Sequence, residues 1–204
     1  MLLAQNITLH RSGKEIFKDI NISLGDGKII ILKGKNGSGK TSLLKTILNI
    51  LEPSSGLIYW KGKLIYKNIN DYYNNLTYIA DKTTSLRQLT LYENIKIWRK
   101  IFLSNVSYDQ IKNILSILKL DNYLNQKINT LSLGETKKFE LLRLIIENKK
   151  FWVLDEPFTN LDFESIKIIE QTFLDHVNNN GFIIFSSHQK PDIKNVEEII
   201  LDKL

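Results

Sequence analysis

The sequence predicts an α/β protein: a core of strands and helices with an antiparallel β-subdomain at its N-terminal end and a helical lobe inserted into it. Three observations carry the prediction. Residues 1–33 alternate apolar and polar side chains in stretches separated by glycine turns, as paired strands do. Short apolar runs, Ile29 to Leu32, Phe151 to Leu154 and Phe182 to Phe185, read as buried strands. At the end of the first run, Gly34-Lys35-Asn36-Gly37-Ser38-Gly39-Lys40-Thr41 fits the pattern G-x-x-x-x-G-K-[ST], followed at once by apolar residues at helical spacing.

Taken in order, Leu2 to Leu9 and Ile16 to Leu24 are strands of the small sheet, with Gly13 and the turn Gly25-Asp26-Gly27 between the stretches. Thr41-Ser42-Leu43-Leu44-Lys45-Thr46-Ile47-Leu48 is a helix, stopped at Glu52-Pro53-Ser54-Ser55-Gly56. Leu57 to Trp60 is a strand whose adjacent aromatics, Tyr59 and Trp60, point to opposite faces, one to the core and one outward. Leu76 to Ala80 is a short strand. From Leu91 the period becomes helical, and Ser107 caps a helix with Ile111, Ile114, Leu115 and Leu118 on one face. Residues 89–128 form the helical lobe, and residues 1–88 and 129–204 the α/β core with its β-subdomain, within a single domain spanning 1–204. Another helix carries Phe139, Leu142, Ile145 and Ile146.

Composition narrows the function. The 204 residues, 43% of them hydrophobic, suffice for a substantial core. The absence of cysteine excludes disulfides, thiolate zinc sites and iron–sulfur clusters held by this chain. No apolar run spans a bilayer and no secretory leader is expected, so a membrane role would be peripheral. The 28 basic and 22 acidic residues give a net charge of +6. The densest basic spots, Lys137-Lys138 and Lys149-Lys150, form no stripe interleaved with aromatics, so the charge is expected on solvated faces and no nucleic-acid partner is expected.

The chemistry concentrates in two places. A glycine-rich loop between strand and helix turns its N–H groups inward to cradle phosphates, and the helix N-terminus adds partial positive charge. Lys40 then reaches the β- and γ-phosphates, and the Thr41 hydroxyl ligates Mg²⁺. Asp155-Glu156 end a strand, where carboxylates of a doubly wound sheet face the ligand crevice. Asp155 would hold Mg²⁺ through water, and Glu156 would orient or deprotonate the water that attacks the γ-phosphate.

These residues resemble the ATPase subunits of ABC transporters, whose fold is a P-loop NTPase (RecA-like) core with an antiparallel β-subdomain and a helical lobe. Gly34 to Thr41, with Ser42 following, resemble the Walker A, Phe151 to Glu156 the Walker B, Leu131-Ser132-Leu133-Gly134-Glu135 the LSGGQ signature, Thr159-Asn160-Leu161-Asp162 the D-loop and His188 the switch histidine. The motifs stand in family order across nearly the whole chain. The resemblance implies ATP and Mg²⁺ as cofactors and a homodimer in which each ATP lies between one chain's Walker A and the other's signature. Ser132, Gly134 and Glu135 would thereby face nucleotide, with Asp162 alongside, and His188 would contact the γ-phosphate. His10 and His176 match no motif and are expected at the surface or in packing. The chain's shortness, Tyr59-Trp60-Lys61-Gly62, Leu89-Thr90 with Glu93-Asn94, the stretch from Trp152 to Thr159 and Ser187-His188-Gln189 further resemble the ATPases of cytochrome c maturation. That subfamily implies an integral membrane partner of the CcmB type, association with a CcmC-like protein, and a position on the cytoplasmic face of a bacterial inner membrane or its mitochondrial counterpart.

The chain departs from the pattern in three ways. Leu133 replaces a small residue and Glu135 a glutamine in the signature, which would crowd the second subunit's γ-phosphate and add negative charge near it. The family's Q-loop glutamine is replaced by Asp81 or Lys82, of which Asp81 retains the capacity to meet Mg²⁺. No aromatic stands where the adenine would stack, and Arg11, with His10 beside it, is the nearest substitute. The alternatives are a catalytically weak nucleotide-binding scaffold and the ATPase of another ABC transporter.

Overall fold

The computed structural model describes residues 1–189 and 191–201. Two sheets form the frame. The first is antiparallel, with β1 (Leu2–Arg11), β2 (Lys14–Leu24), β4 (Ser55–Trp60) and β5 (Lys63–Leu64) in the order β2-β1-β4-β5. The second is parallel, with β3 (Ile29–Lys33), β6 (Leu76–Ile79), β7 (Phe151–Asp155), β8 (Phe182–Ser186) and β9 (Val196–Ile200) in the order β6-β7-β8-β3-β9.

Strict alternation along the parallel strands divides the core in two. Ile29, Ile31, Trp152, Leu154, Ile183 and Phe185 face one side, where they meet helices α3 (Leu91–Ile101), α4 (Tyr108–Ile117), α5 (Leu133–Leu141), α6 (Arg143–Glu147) and α7 (Phe163–Asn178). Ile30, Leu32, Phe151, Val153, Phe182 and Ile184 face the other, packed on α1 (Lys40–Ile47), α2 (Ile69–Asn74) and the antiparallel sheet. Both faces are covered, which is why these strands read as unbroken apolar runs. Trp60 belongs to this second core, stacked 6.1 Å from Phe151, which stacks 4.9 Å from Phe182, while Tyr59 is half-buried. Each such buried ring contributes about 1.5–3 kcal/mol by area alone. The helical segment packs on beyond residue 128, since Trp98 of α3 stacks 4.7 Å from Phe139 of α5.

Helix starts follow local chemistry. Thr90 with Glu93, Ser107 with Gln110 and Ser132 with Glu135 form reciprocal capping boxes at α3, α4 and α5, and Asp162 caps α7 through the Ser165 amide.

The register sets the position of the site. Leu32 pairs with Ser186 and Ser186 with Asp155, so β3, β8 and β7 end in one row. The segments that leave these strands, from Gly34, from Ser187 and from Glu156, therefore emerge side by side.

Candidate nucleotide site

The loop from Gly34 to Gly39 turns the end of β3 into α1. Gly39 caps that helix at φ 99°, and a Cβ there would lie 2.7 Å from Cγ2 of Ile16, so both backbone and space demand glycine. The loop curls around the buried Lys40 ammonium, which donates to the carbonyls of Gly34 (2.9 Å) and Lys35 (3.3 Å). The same ammonium lies 3.1 Å from His188 Nε2 and 3.9 Å from Glu156 Oε1.

At the end of β7, Asp155 is buried and shared between two hydroxyls: Thr41 donates to Oδ2 over 2.8 Å and Ser186 to Oδ1 over 2.6 Å. Glu156 follows at φ 48°, a left-handed conformation unusual for this residue and held by its N–H donating to Ser186 Oγ over 2.9 Å. Its Oε2 receives the His188 amide over 3.3 Å, whereas Oε1 lies 3.2 Å from His188 Nε2 but out of line for a hydrogen bond. Glu156 Oε1 and Ser38 Oγ are thus buried polar atoms without a hydrogen-bond partner among the described residues.

A cleft of about 350 Å³ opens onto this cluster, lined by Arg11, Asn36, Gly37, Gly39, Lys40, Thr41, Ser42, Asp81, Asp155, Glu156 and His188 together with Ile16. Of these only Ile16 was not singled out from the sequence. Arg11, at the β1–β2 turn, stands at the cleft with Ile16. Asp81 lines the cleft and Lys82 does not. Ser132, Gly134, Glu135 and Asp162 lie elsewhere. Gly134 runs against the Asn160 backbone, where a Cβ would meet the carbonyl oxygen at 2.6 Å, so the signature helix and the loop after β7 touch within one chain. Asp162 is exposed, its carboxylate engaged in the α7 cap.

The arrangement fits a magnesium nucleotide. An orphaned carboxylate oxygen, a lysine ammonium with carbonyls for partners, and a hydroxyl–carboxylate pair meet in a single cleft beside a helix N-terminus. Among the described residues no group of three or more acidic or histidine side chains could enclose a metal alone. Mg²⁺ rarely uses such a cage, being held by one or two side chains plus substrate phosphates.

Two features differ from the sequence reading or escaped it. Lys137 and Lys138, expected on a solvated face, are buried, Lys137 because its side of α5 packs against the ends of β6 and β7. Lys137 Nζ donates to the Asp155 carbonyl (3.3 Å) and the Ala80 carbonyl (3.5 Å), and burial pushes its pKa down against the pull of Asp81, Asp155, Glu140 and Glu156. Glu135 does not project as a free charge: its Oε2 receives the Ser132 N–H (2.8 Å) and hydroxyl (2.7 Å). A hydrogen bond from Tyr123, then those from Ser132, hold its carboxyl below the usual range. The S-x-x-E spacing was the available signal for this cap. Leu133 is 73% exposed. His176, by contrast, packs as expected of a histidine outside the motifs, stacked 3.5 Å from Trp152.

A phosphate loop opening a helix, a carboxylate pair at the end of a strand one removed from it in the sheet, and a histidine between them define a nucleoside triphosphatase of the ATP-binding cassette kind. The chain belongs to the ABC transporter family, whose model matches residues 17–159, and it is an ABC-type ATPase subunit. Among its relatives is the cytochrome c biogenesis ATP-binding export protein CcmA of Reclinomonas americana, 39% identical over 97% of this chain and 91% of that protein. The protein of the same name from Histophilus somni is 32% identical over 99% and 93% respectively. The dimeric bacterial ABC transporter cassette MJ0796 superposes with a TM-score of 0.84 at 19% identity, covering 100% of this chain and 95% of that one, a likeness of fold. The chain is thus an ABC ATPase similar to CcmA.

Proposed function

We propose that this chain binds and hydrolyses ATP to drive an export step of c-type cytochrome biogenesis, acting through an integral membrane subunit of the CcmB type, with a CcmC-like protein, on the cytoplasmic face of the membrane. Two copies meet head to tail, each supplying the phosphate cleft of one site and the signature of the other. The observation that carries this composite arrangement is a separation: the chain's own Ser132, Gly134 and Glu135 line no part of the cleft formed by Lys40, Asp155 and Glu156. In this reading, donors on the far side of the nucleotide come from a second chain. No helix among the described residues is long and apolar enough to cross a membrane, which is consistent with a separate membrane subunit. The relatives' names support the biogenesis role.

In this reading Lys40 exchanges the Gly34 and Lys35 carbonyls for β- and γ-phosphate oxygens, while the loop amides and Ser42 hold the phosphates. Mg²⁺, arriving with ATP, supplies neutralisation of phosphate charge. Thr41 and Asp155 would hold it directly or through water, and Asp81, lining the same cleft, would be the further carboxylate available to it. Glu156, with one carboxylate oxygen free of hydrogen bonds, orients the attacking water and takes its proton, while His188 steadies Glu156 and the γ-phosphate. Arg11 stacks on the base. Closure by the second chain brings Ser132 and the α5 N-terminus to the γ-phosphate, a stabilisation of transition-state charge completed in trans.

The test is purification of the tagged chain from membranes with assay of ATP turnover. An integral membrane subunit should accompany it and ATP should be hydrolysed. A chain that purifies without a membrane partner sinks the transport reading. A complex that binds ATP but does not turn it over would favour the scaffold, the reading supported by exposed Leu133 inside the signature.

A further inference from the structure

Asp81 is the one described residue that lines both the phosphate cleft and a second cleft of about 480 Å³, which lies between the loop after β6 and helix α5. It makes no motif of its own, and what fixes it is not in the loop that carries it. On its N-terminal side the Ala80 carbonyl accepts from Lys137, 3.5 Å away. On its C-terminal side the next turn is gathered onto one buried carboxylate. Glu140 Oε1 receives the Ser85 amide (2.7 Å), the Ser85 hydroxyl (2.5 Å), the Thr84 amide (2.9 Å) and the Thr83 hydroxyl, and Oε2 receives the Thr84 hydroxyl (3.0 Å). Lys137 and Glu140 are three apart on α5 and so share a face. Arg143 extends the grip, donating to Thr84 Oγ1 (2.8 Å) and pairing with Glu147, which in turn receives the Thr77 hydroxyl of β6 (2.9 Å).

We infer that Lys137 and Glu140 are positioning residues: by bracketing Asp81 from both sides they hold its carboxylate in place at the phosphate cleft of its own chain. The bracket is expensive to break in part, because a buried carboxylate serving five donors leaves several of them unsatisfied when it is lost. It touches no nucleotide, so its loss should spare binding and slow turnover. This inference rests on the reading that Asp81 faces the nucleotide.

Steady-state ATP hydrolysis and equilibrium ATP binding of the full chain test it, in Glu140→Gln, Asp81→Asn and the double variant. Glu140→Gln should lower kcat at least fivefold with ATP affinity unchanged, Asp81→Asn should also be slow, and the double variant should fall within twofold of the slower single one. Should Glu140→Gln misfold, the pair Thr83→Val and Ser85→Ala removes donors from the loop side and should give the same kcat loss. Wild-type kcat in Glu140→Gln with a slow Asp81→Asn overturns the bracket and leaves the site reading standing. Losses that multiply in the double variant also overturn it, since Glu140 would then act independently of Asp81. Wild-type kcat in Asp81→Asn overturns both the bracket's purpose and the placing of Asp81 at the nucleotide.

Discussion

Thr41 donates its hydroxyl to Asp155 over 2.8 Å, so the first turn of α1 and the end of β7, 114 residues apart, are joined at the point where a divalent cation would sit. The two oxygens that would serve a metal are joined by a hydrogen bond that the metal would replace. Thr41→Ala should therefore cost little in folding, about 1 kcal/mol for one buried hydrogen bond. It should lower the affinity for Mg·ATP while leaving metal-free ATP binding nearly unchanged. Titrations with and without Mg²⁺ make the comparison, and equal loss in both would detach Thr41 from the metal.

Lys40 is the cation at the centre of the cleft, and its removal leaves Glu156 without a counter-charge and His188 Nε2 without a donor. Lys40→Ala should weaken ATP binding by about a hundredfold, roughly the 3 kcal/mol of one strong charge-assisted contact. Equilibrium binding of a fluorescent ATP analogue reports it, and unaltered affinity would refute the phosphate-loop assignment.

The local part of this site was legible and the long-range part was only partly so. Ile29 to Thr41 announces strand, nest and helix within a few residues, and the cleft it builds holds Asp155, Glu156 and His188 because the β3-β8-β7 order brings their strand ends into one row. The strand Val196–Ile200 was not read, because an edge strand with Glu197 and Glu198 exposed carries neither alternation nor an apolar run. Lys137 and Glu140 were equally hidden. A lysine and a glutamate three apart on a helix look like a solvated face, and only the packing of α5 on the ends of β6 and β7 turns that face inward.

Leu133 stands largely exposed in the first turn of α5. Leu133→Gly should cost about 0.5–1 kcal/mol in helix propensity. If the side chain crowds a second subunit's nucleotide, the ATP-bound dimer should tighten and turnover rise. Sedimentation with ATP and a turnover assay decide; unchanged values would mean that backbone amides alone carry the signature's role.

His176 supplies a pH signature of stability. Burial against Trp152 pushes its pKa from 6.5 down to about 4, although its hydrogen bond to the Lys150 carbonyl opposes the shift. Between those values the unfolded chain binds the extra proton, so this group's contribution is complete above pH 6.5 and is lost as pH falls toward 4. Allowing for the exposed part of the ring, the loss is about 2 kcal/mol. Glu147, whose carboxyl burial pushes up, works in the opposite sense at mildly acid pH, so the comparison must be between variants. His176→Phe keeps the stack on Trp152 and should lose fewer degrees of Tm than wild type between pH 7 and pH 5. Parallel slopes would show that His176 does not titrate with folding.

Glu156 carries the sharpest prediction, because its geometry is strained and its chemistry incomplete. A left-handed φ of 48° and one buried oxygen without a hydrogen bond are costs that the fold sustains at the end of β7. They are understandable if the free oxygen is reserved for a water. Glu156→Gln preserves shape and the bond from the His188 amide while removing basicity, so hydrolysis should fall by about 10²–10⁴. ATP binding should persist, since Lys40, Thr41 and the loop are untouched. Two ATP molecules that are bound and not consumed should then hold two chains together, and the variant should sediment as an ATP-dependent dimer where wild type does so only transiently. Mixed dimers of one variant and one wild-type chain should lose a single composite site. Hydrolysis at the wild-type rate would remove Glu156 from the mechanism, whereas a slow variant that stays monomeric with ATP bound would keep the base and sink the head-to-tail pairing.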